Sequence, residues 1–115
     1  MTEPIFHVAT AADWEAAVRE GAYTTSTRGR TLAEEGFIHA SRREQVQPVL
    51  DRWYADVDEP LVLLVIDPDL LGVELRVEPV GDETYPHVYG PIDPAAVVEV
   101  QPIRRRSPCR SSSSP

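Results

Sequence analysis

Three histidines, His7, His39 and His87, are the side chains of this 115-residue chain best suited to proton chemistry near neutral pH. Their settings are alike. His7 lies among Phe6, Val8 and Ala9, three residues before Thr10. His39 lies between Ile38 and Ala40, two residues before Ser41. His87 lies in Tyr85-Pro86-His87-Val88-Tyr89-Gly90. Thr and Ser are residues that cap helix N-termini. The free N–H groups and partial positive charge there favour phosphates and other anions. A site built from His7 and His39 beside two such helices would therefore suit a phosphate-bearing ligand. Strand alternation would place Tyr85, His87 and Tyr89 on one face, where two phenol rings can stack on a base and bond to a ribose. Arg76 is either a cation for a phosphate or the ion-pair partner of Glu74 or Glu78. Glu78 and Glu83 would supply a carboxylate near His87, or simply belong to a solvated acidic face.

Blander and rival chemistries stand beside this one. A lone histidine on a mixed strand is more often a hydrogen-bonded structural residue than a ligand. Three histidines can also bind zinc or iron, but no pair here has the i, i+4 helical spacing of a typical motif. Ser41 beside His39 lacks the Gly-x-Ser-x-Gly elbow of a serine hydrolase. With no lysine anywhere, a Schiff-base mechanism and a phosphate-binding Gly-Lys-Ser/Thr loop are both excluded.

Charge narrows the partners. Residues 1–103 carry seven arginines and all 19 acids, a net charge of −12, while residues 104–115 carry four arginines. An acidic body repels a phosphate backbone, so duplex DNA is not expected as a partner. The single cysteine, Cys109, excludes an internal disulfide and a four-cysteine zinc site. The N-terminus shows no signal-peptide pattern, and the longest apolar run, Leu61 to Ile66, is far short of the ~20 residues that span a bilayer. The expectation is a cytoplasmic protein without a membrane partner. One domain over residues 1–103 is expected, with 104–115 a disordered Arg/Ser-rich tail, solvated or docked on an acidic partner or RNA.

The elements that must position the histidines follow from local pattern. Ile5 to Ala9 reads as a strand. Thr10 caps a helix over Ala11 to Glu20, with Trp14, Ala17 and Val18 on one face and Gly21 at its end. Ala22 to Arg30 is polar and reads as a loop. Thr31 to Glu35 reads as one helical turn stopped by Gly36. Phe37 to Ala40 reads as a second strand, and Ser41 with Glu44 as a capping box for a second helix. Val46, Val49, Leu50, Trp53 and Tyr54 form its apolar face, with Pro48 kinking it or delaying its start. Trp14, Trp53 and Tyr54 read as core. Leu61 to Ile66 suits a strand buried on both faces. Val73 to Val77 alternates like a half-wet strand, Tyr85 to Gly90 reads as a strand or ordered loop, and Val97 to Ile103 as the last strand. Strands dominate after two early helices, so the class is α+β.

Three blocks carry a family resemblance: IFHVATAADWE over Ile5–Glu15, EGFIHASRREQV over Glu35–Val46, and YPHVYGPI over Tyr85–Ile92. They closely resemble the domain of unknown function 952 family of bacteria, over about residues 3 to 103. That family's fold looks like the split, curved β-sheet of ADP-ribosyltransferases and tRNA 2′-phosphotransferases, which grips NAD. The resemblance implies an uncharacterised bacterial protein that binds NAD or a related nucleotide and transfers an ADP-ribosyl group to an acceptor it does not name. NAD would then be a substrate. Cofactor-binding residues would be His7, Ser41, Tyr85, Tyr89 and Arg76, and catalytic residues His39 and His87. The transferring enzymes also use a late catalytic Glu, for which Glu83 is not a clear equivalent; Pro48 and the tail depart from the family pattern as well. The alternatives are a non-catalytic nucleotide-binding module of the same fold and a histidine metal site.

Overall fold

The structure is a computed structural model and describes residues 3–27 and 30–103. It is an α+β fold built on a curved, unclosed sheet. The expected Arg/Ser tail, 104–115, lies outside the described residues. In chain order the elements are β1 (Ile5–Thr10), α1 (Ala11–Glu20), β2 (Thr25–Thr27), β3 (Arg30–Thr31), α2 (Leu32–Glu35), β4 (Ile38–His39), α3 (Val46–Trp53), β5 (Leu61–Ile66), β6 (Glu74–Val80), β7 (Glu83–Tyr89) and β8 (Val97–Pro102). Short 3-10 turns at Arg43–Gln45, Pro68–Leu70 and Pro94–Ala96 link them.

Three antiparallel strands, in the order β1-β5-β8, make the inner sheet. β5 lies between two partners, which is why its six residues are all apolar. Alternation divides the inner sheet's side chains. Phe6 and Val8 join Leu61, Leu63 and Val65 against Leu50 of α3, Tyr54 and Val57. Ile5 and Ala9 join Leu64 and Ile66 on the other face, against Ala17 of α1 and Ile38, Val88 and Ile92. Leu64, Ile66, Ile38, Val88 and Ile92 are fully buried, each stabilising the fold by about 2 kcal/mol in transfer free energy. The second sheet runs β4-β7-β6 and turns Ile38, Val88 and Leu75 toward that core. Its opposite face carries His39, Tyr85, His87, Tyr89, Glu78 and Arg76.

One corner joins the two sheets. Ser41, just past β4, donates its N–H to Phe6 O (2.7 Å) and accepts from Phe6 N (2.8 Å). The capping expectation for Ser41 is therefore corrected. Its backbone is committed to β1, and the chain enters helix later, through the 3-10 turn whose Arg42 N–H donates to Gln45 Oε1 at 2.9 Å. Pro48 falls in the first turn of α3, where a missing N–H is tolerated, so it delays the helix rather than kinking it. Trp53 is corrected too: at 58% exposure it is no core residue, unlike buried Tyr54.

The local signals for α1 and α2 hold. Thr10 accepts from Asp13 N at 3.1 Å and Gly21 ends α1. Thr31 and Glu34 cap each other across α2 (2.9 and 3.3 Å), and Gly36 (φ +88°) supplies the left-handed residue that stops it. Between these helices the expected loop contains a short bulged hairpin, β2 with β3. Ser26 on β2 is fully buried and donates its hydroxyl to Phe37 O. A polar strand is stable there because its hydroxyl is satisfied internally.

Candidate functional site

His7 projects from β1 between the two sheets and is buried. A carbonyl can only accept, so His7 Nδ1–H donates to His39 O at 2.5 Å. Nε2 is then an acceptor, and Tyr23 O–H donates to it at 2.9 Å. Both ring nitrogens are spent inside the protein, and the tautomer is set. Burial pushes the His7 pKa down to about 4, against the hydrogen bond to the His39 carbonyl, which raises it. The ring is neutral at physiological pH. Tyr23, buried and paired to Ile92 through backbone bonds of 2.8 and 3.0 Å, has its phenol pKa pushed up by the same desolvation.

His39 is in a different state. It sits opposite His87 in the β4–β7 register, and its side chain is 39% exposed. Its Nε2 lies 3.5 Å from Glu35 Oε1, one helical turn back in sequence. Burial of the rest of the ring lowers its pKa below the ordinary value, against the Glu35 hydrogen bond, which raises it. Glu35 also holds Arg30 at 3.0 Å.

These groups open onto a cavity of about 520 Å³, within the usual size range of small-molecule sites. It is lined by four expected residues, His7, His39, Ser41 and Tyr85, and by Ser26, Arg30, Glu35, Arg52 and Trp53 among others. α3 contributes Val49, Arg52 and Trp53; the tip of the β6–β7 hairpin contributes Val80 and Tyr85. Two guanidinium groups and one carboxylate leave the lining net positive in a body of charge −12. That is a local inversion of charge, and it favours an anion.

The other three expected residues lie outside this lining. Arg76 pairs with Glu74 (2.7 Å) and packs its guanidinium over the Tyr89 ring at 4.8 Å. Tyr89 O–H donates to Glu78 Oε1 at 2.5 Å, and His87 Nδ1–H donates to the same oxygen at 2.7 Å. These bonds, the tyrosine's first, hold the Glu78 carboxyl below its ordinary range, and Glu78 in turn raises the Tyr89 phenol. Of the two carboxylates considered for His87, Glu78 is the partner. Glu83 accepts from Gln45 Nε2 at 2.9 Å and faces Arg42 at 3.7 Å instead. Phe37 stacks on His87 with ring centres 4.1 Å apart. His39 meets both rings edge-on, at 4.8 and 5.4 Å. His39 thus joins the cavity to this second cluster.

The expected helix-terminus contribution is corrected. Thr10 at the head of α1 lines a different cavity, of about 500 Å³, together with Asp13, Asp56, Asp58 and Glu59. Those carboxylates repel an anion. The cations come from Arg30 and Arg52 instead, which the sequence did not distinguish from the other arginines. Tyr23 and Phe37 were also unforeseen as partners of His7 and His87; only their place near the histidine blocks hints at them. Among the described residues, no three His, Cys, Asp or Glu side chains are grouped so as to hold a metal ion. Likewise, no helix among them is long and apolar enough to cross a membrane.

A family model described as Protein of unknown function (DUF952) matches residues 8–100. The chain belongs to the DUF952 family. The X-ray structure of protein CC0527 from Caulobacter crescentus is similar to this DUF952 chain, at 28% identity and a TM-score of 0.78 over 90% of this chain and 89% of that one. The solution NMR structure of CC0527 gives a TM-score of 0.72 over 90% and 87%. No curated protein matches this chain.

Proposed function

We propose that this DUF952 chain binds NAD or a related nucleotide in the 520 Å³ cavity and transfers an ADP-ribosyl group from it, as the resemblance of the family's fold to that of ADP-ribosyltransferases implies. The observation that carries the reading is the inverted charge of the cavity: Arg30 and Arg52 beside aromatic Trp53 and Tyr85, on an otherwise acidic protein. Guanidinium groups suit a pyrophosphate, aromatic rings suit a base, and the Ser26, Ser41 and His39 side chains suit sugar hydroxyls. These residues fit NAD as a substrate. Cleaving its nicotinamide–ribose bond builds positive charge on the sugar, and Glu35 is the cavity carboxylate that would stabilise it. His7, neutral and locked, is a fixed wall rather than a titrating group.

The test is calorimetry with NAD, ADP-ribose and 2′-phosphorylated RNA at millimolar concentration, with nicotinamide release followed in parallel. Binding with release supports the transferase. Absence of binding to all three ligands refutes the reading. The non-catalytic module is favoured by one observation, the engagement of Glu35 by both Arg30 and His39, which spends its charge before a ligand arrives. It predicts ligand-induced stabilisation with no nicotinamide released.

A further inference from the structure

The cluster beyond the cavity has an unfilled valence. Nε2 of His87 is buried and has no hydrogen-bond partner among the described residues. The His87 side chain is only 4% exposed, and burying such a nitrogen unpaired is costly. Its other nitrogen explains what kind of atom it is. Nδ1–H donates to Glu78, so in the neutral ring Nε2 carries a lone pair and no proton. A carboxylate that orients an imidazole and stabilises its protonated form is the arrangement of a general base. Tyr89, donating to the same Glu78 oxygen, keeps that carboxylate in place.

The position of this base is also informative. Tyr85 of β7 and Val80 of β6 line the cavity. His87 and Glu78 are the next residues along those strands on the same face. One step of about 7 Å separates the cavity wall from the base, and the half-buried Phe37 ring stacks on one face of its imidazole. Gly36, in the left-handed region at φ +88°, precedes Phe37.

We propose that His87, positioned by Glu78 and Tyr89 and stacked under Phe37, is a general base one strand step beyond the cavity wall for a hydroxyl-bearing acceptor that reaches past Tyr85. The acceptor O–H bond breaks, its proton passes to Nε2, and the electron pair stays on oxygen. Glu78 stabilises the imidazolium through Nδ1–H. The proposal rests on the nucleotide reading only for the identity of the group that the acceptor would attack.

Two measurements on the free, full chain test it. Histidine side-chain ¹⁵N NMR at mildly alkaline pH reads the tautomer directly. His87 is expected as the Nδ1–H form, and Glu78→Ala shifts it toward Nε2–H. Diethyl pyrocarbonate, which acylates unprotonated imidazole, reads access to Nε2. Mass spectrometry should find His39 modified readily and His87 slowly. Phe37→Ala, or Phe37→Leu where the smaller residue fails to fold, should speed His87 modification several-fold. An Nε2–H or doubly protonated His87 in the unaltered chain overturns the proposal. So does a modification rate indifferent to Phe37. Neither outcome touches the calorimetric test of nucleotide binding, so the two readings fail separately.

Discussion

His7 and His87 are both buried histidines, on strands of different sheets, and they differ in how their ring nitrogens are satisfied. His7 stands between the two sheets, where a carbonyl and a tyrosine hydroxyl satisfy both nitrogens. His87 stands on the outer face of the second sheet, where a carboxylate satisfies one nitrogen and none of the described residues satisfies the other. The first arrangement holds a fold together, since every polar atom is matched at its own site. The second keeps an atom in reserve at a cost in stability. His39, half-exposed between them, lends its backbone to the first and its ring to the second. The inner sheet thus fixes the position of the β4 strand that the outer face then uses.

The sharpest way to break this comparison is to remove the structural histidine. His7→Ala deprives the Tyr23 O–H and the His39 carbonyl of their buried partner and opens a void opposite Leu64. The expected loss is about 3–5 kcal/mol, read as a lower urea midpoint at unchanged slope. His87→Ala should cost clearly less, because one of its nitrogens contributes no bond. Equal losses would show that the two sites are energetically alike and the contrast false.

The same contrast has a pH signature. The His7 pKa is about 4 in the folded chain because burial penalises the charged ring, against an ordinary 6.5. Between those values the unfolded chain binds a proton that the folded chain refuses. Stability is therefore fully present above pH 6.5 and falls as pH drops toward 4, by roughly 3 kcal/mol in all. His39, lowered by the same cause, adds to the slope. Subtracting the profile of His7→Gln isolates the His7 share. A wild-type profile flat between pH 6.5 and pH 4 would mean that His7 titrates freely.

How far these features were legible in the sequence depended on the range of the interaction. Thr10, Gly21 and the Thr31–Glu34 pair act within one helical turn, and their roles could be read directly. The all-apolar stretch of β5 could be read because burial on both faces leaves no alternation to disguise. β2 could not: Thr25-Ser26-Thr27 has loop composition, and it is a strand because its backbone pairs with β3 while Phe37, eleven residues on from Ser26, receives that residue's hydroxyl. Ser41 carried a correct local signal for a cap, overruled by a partner 35 residues away, Phe6. Trp53 fitted the apolar stripe of α3 yet lies at the cavity, a destination that no helical periodicity encodes. The histidine blocks were visible, but which nitrogen is engaged is decided by the His39 carbonyl, Tyr23 and Glu78, all distant in sequence from the rings they bond.

The arginines give the smallest and most selective contrast. All seven in the body are equal as charges, so the sequence pointed to Arg76 for its mid-strand place. In the fold Arg76 is exposed, closed on Glu74, and outside the lining of the cavity, whereas Arg52 lines it without an ion-pair partner among the described residues. Exposed ion pairs contribute little, so Arg76→Ala should leave the urea midpoint nearly unchanged. Arg52→Ala should be as mild for stability, since no charge among the described residues loses an ion-pair partner. The two should separate in ligand affinity. A guanidinium lost from the cavity weakens ADP-ribose binding by roughly tenfold, the scale of one charge-assisted hydrogen bond, while loss of Arg76 leaves it within error. Calorimetry on the two variants reads the difference. A larger effect from Arg76 would move the anion site out of the cavity and onto the Tyr89 face, beside the His87 base.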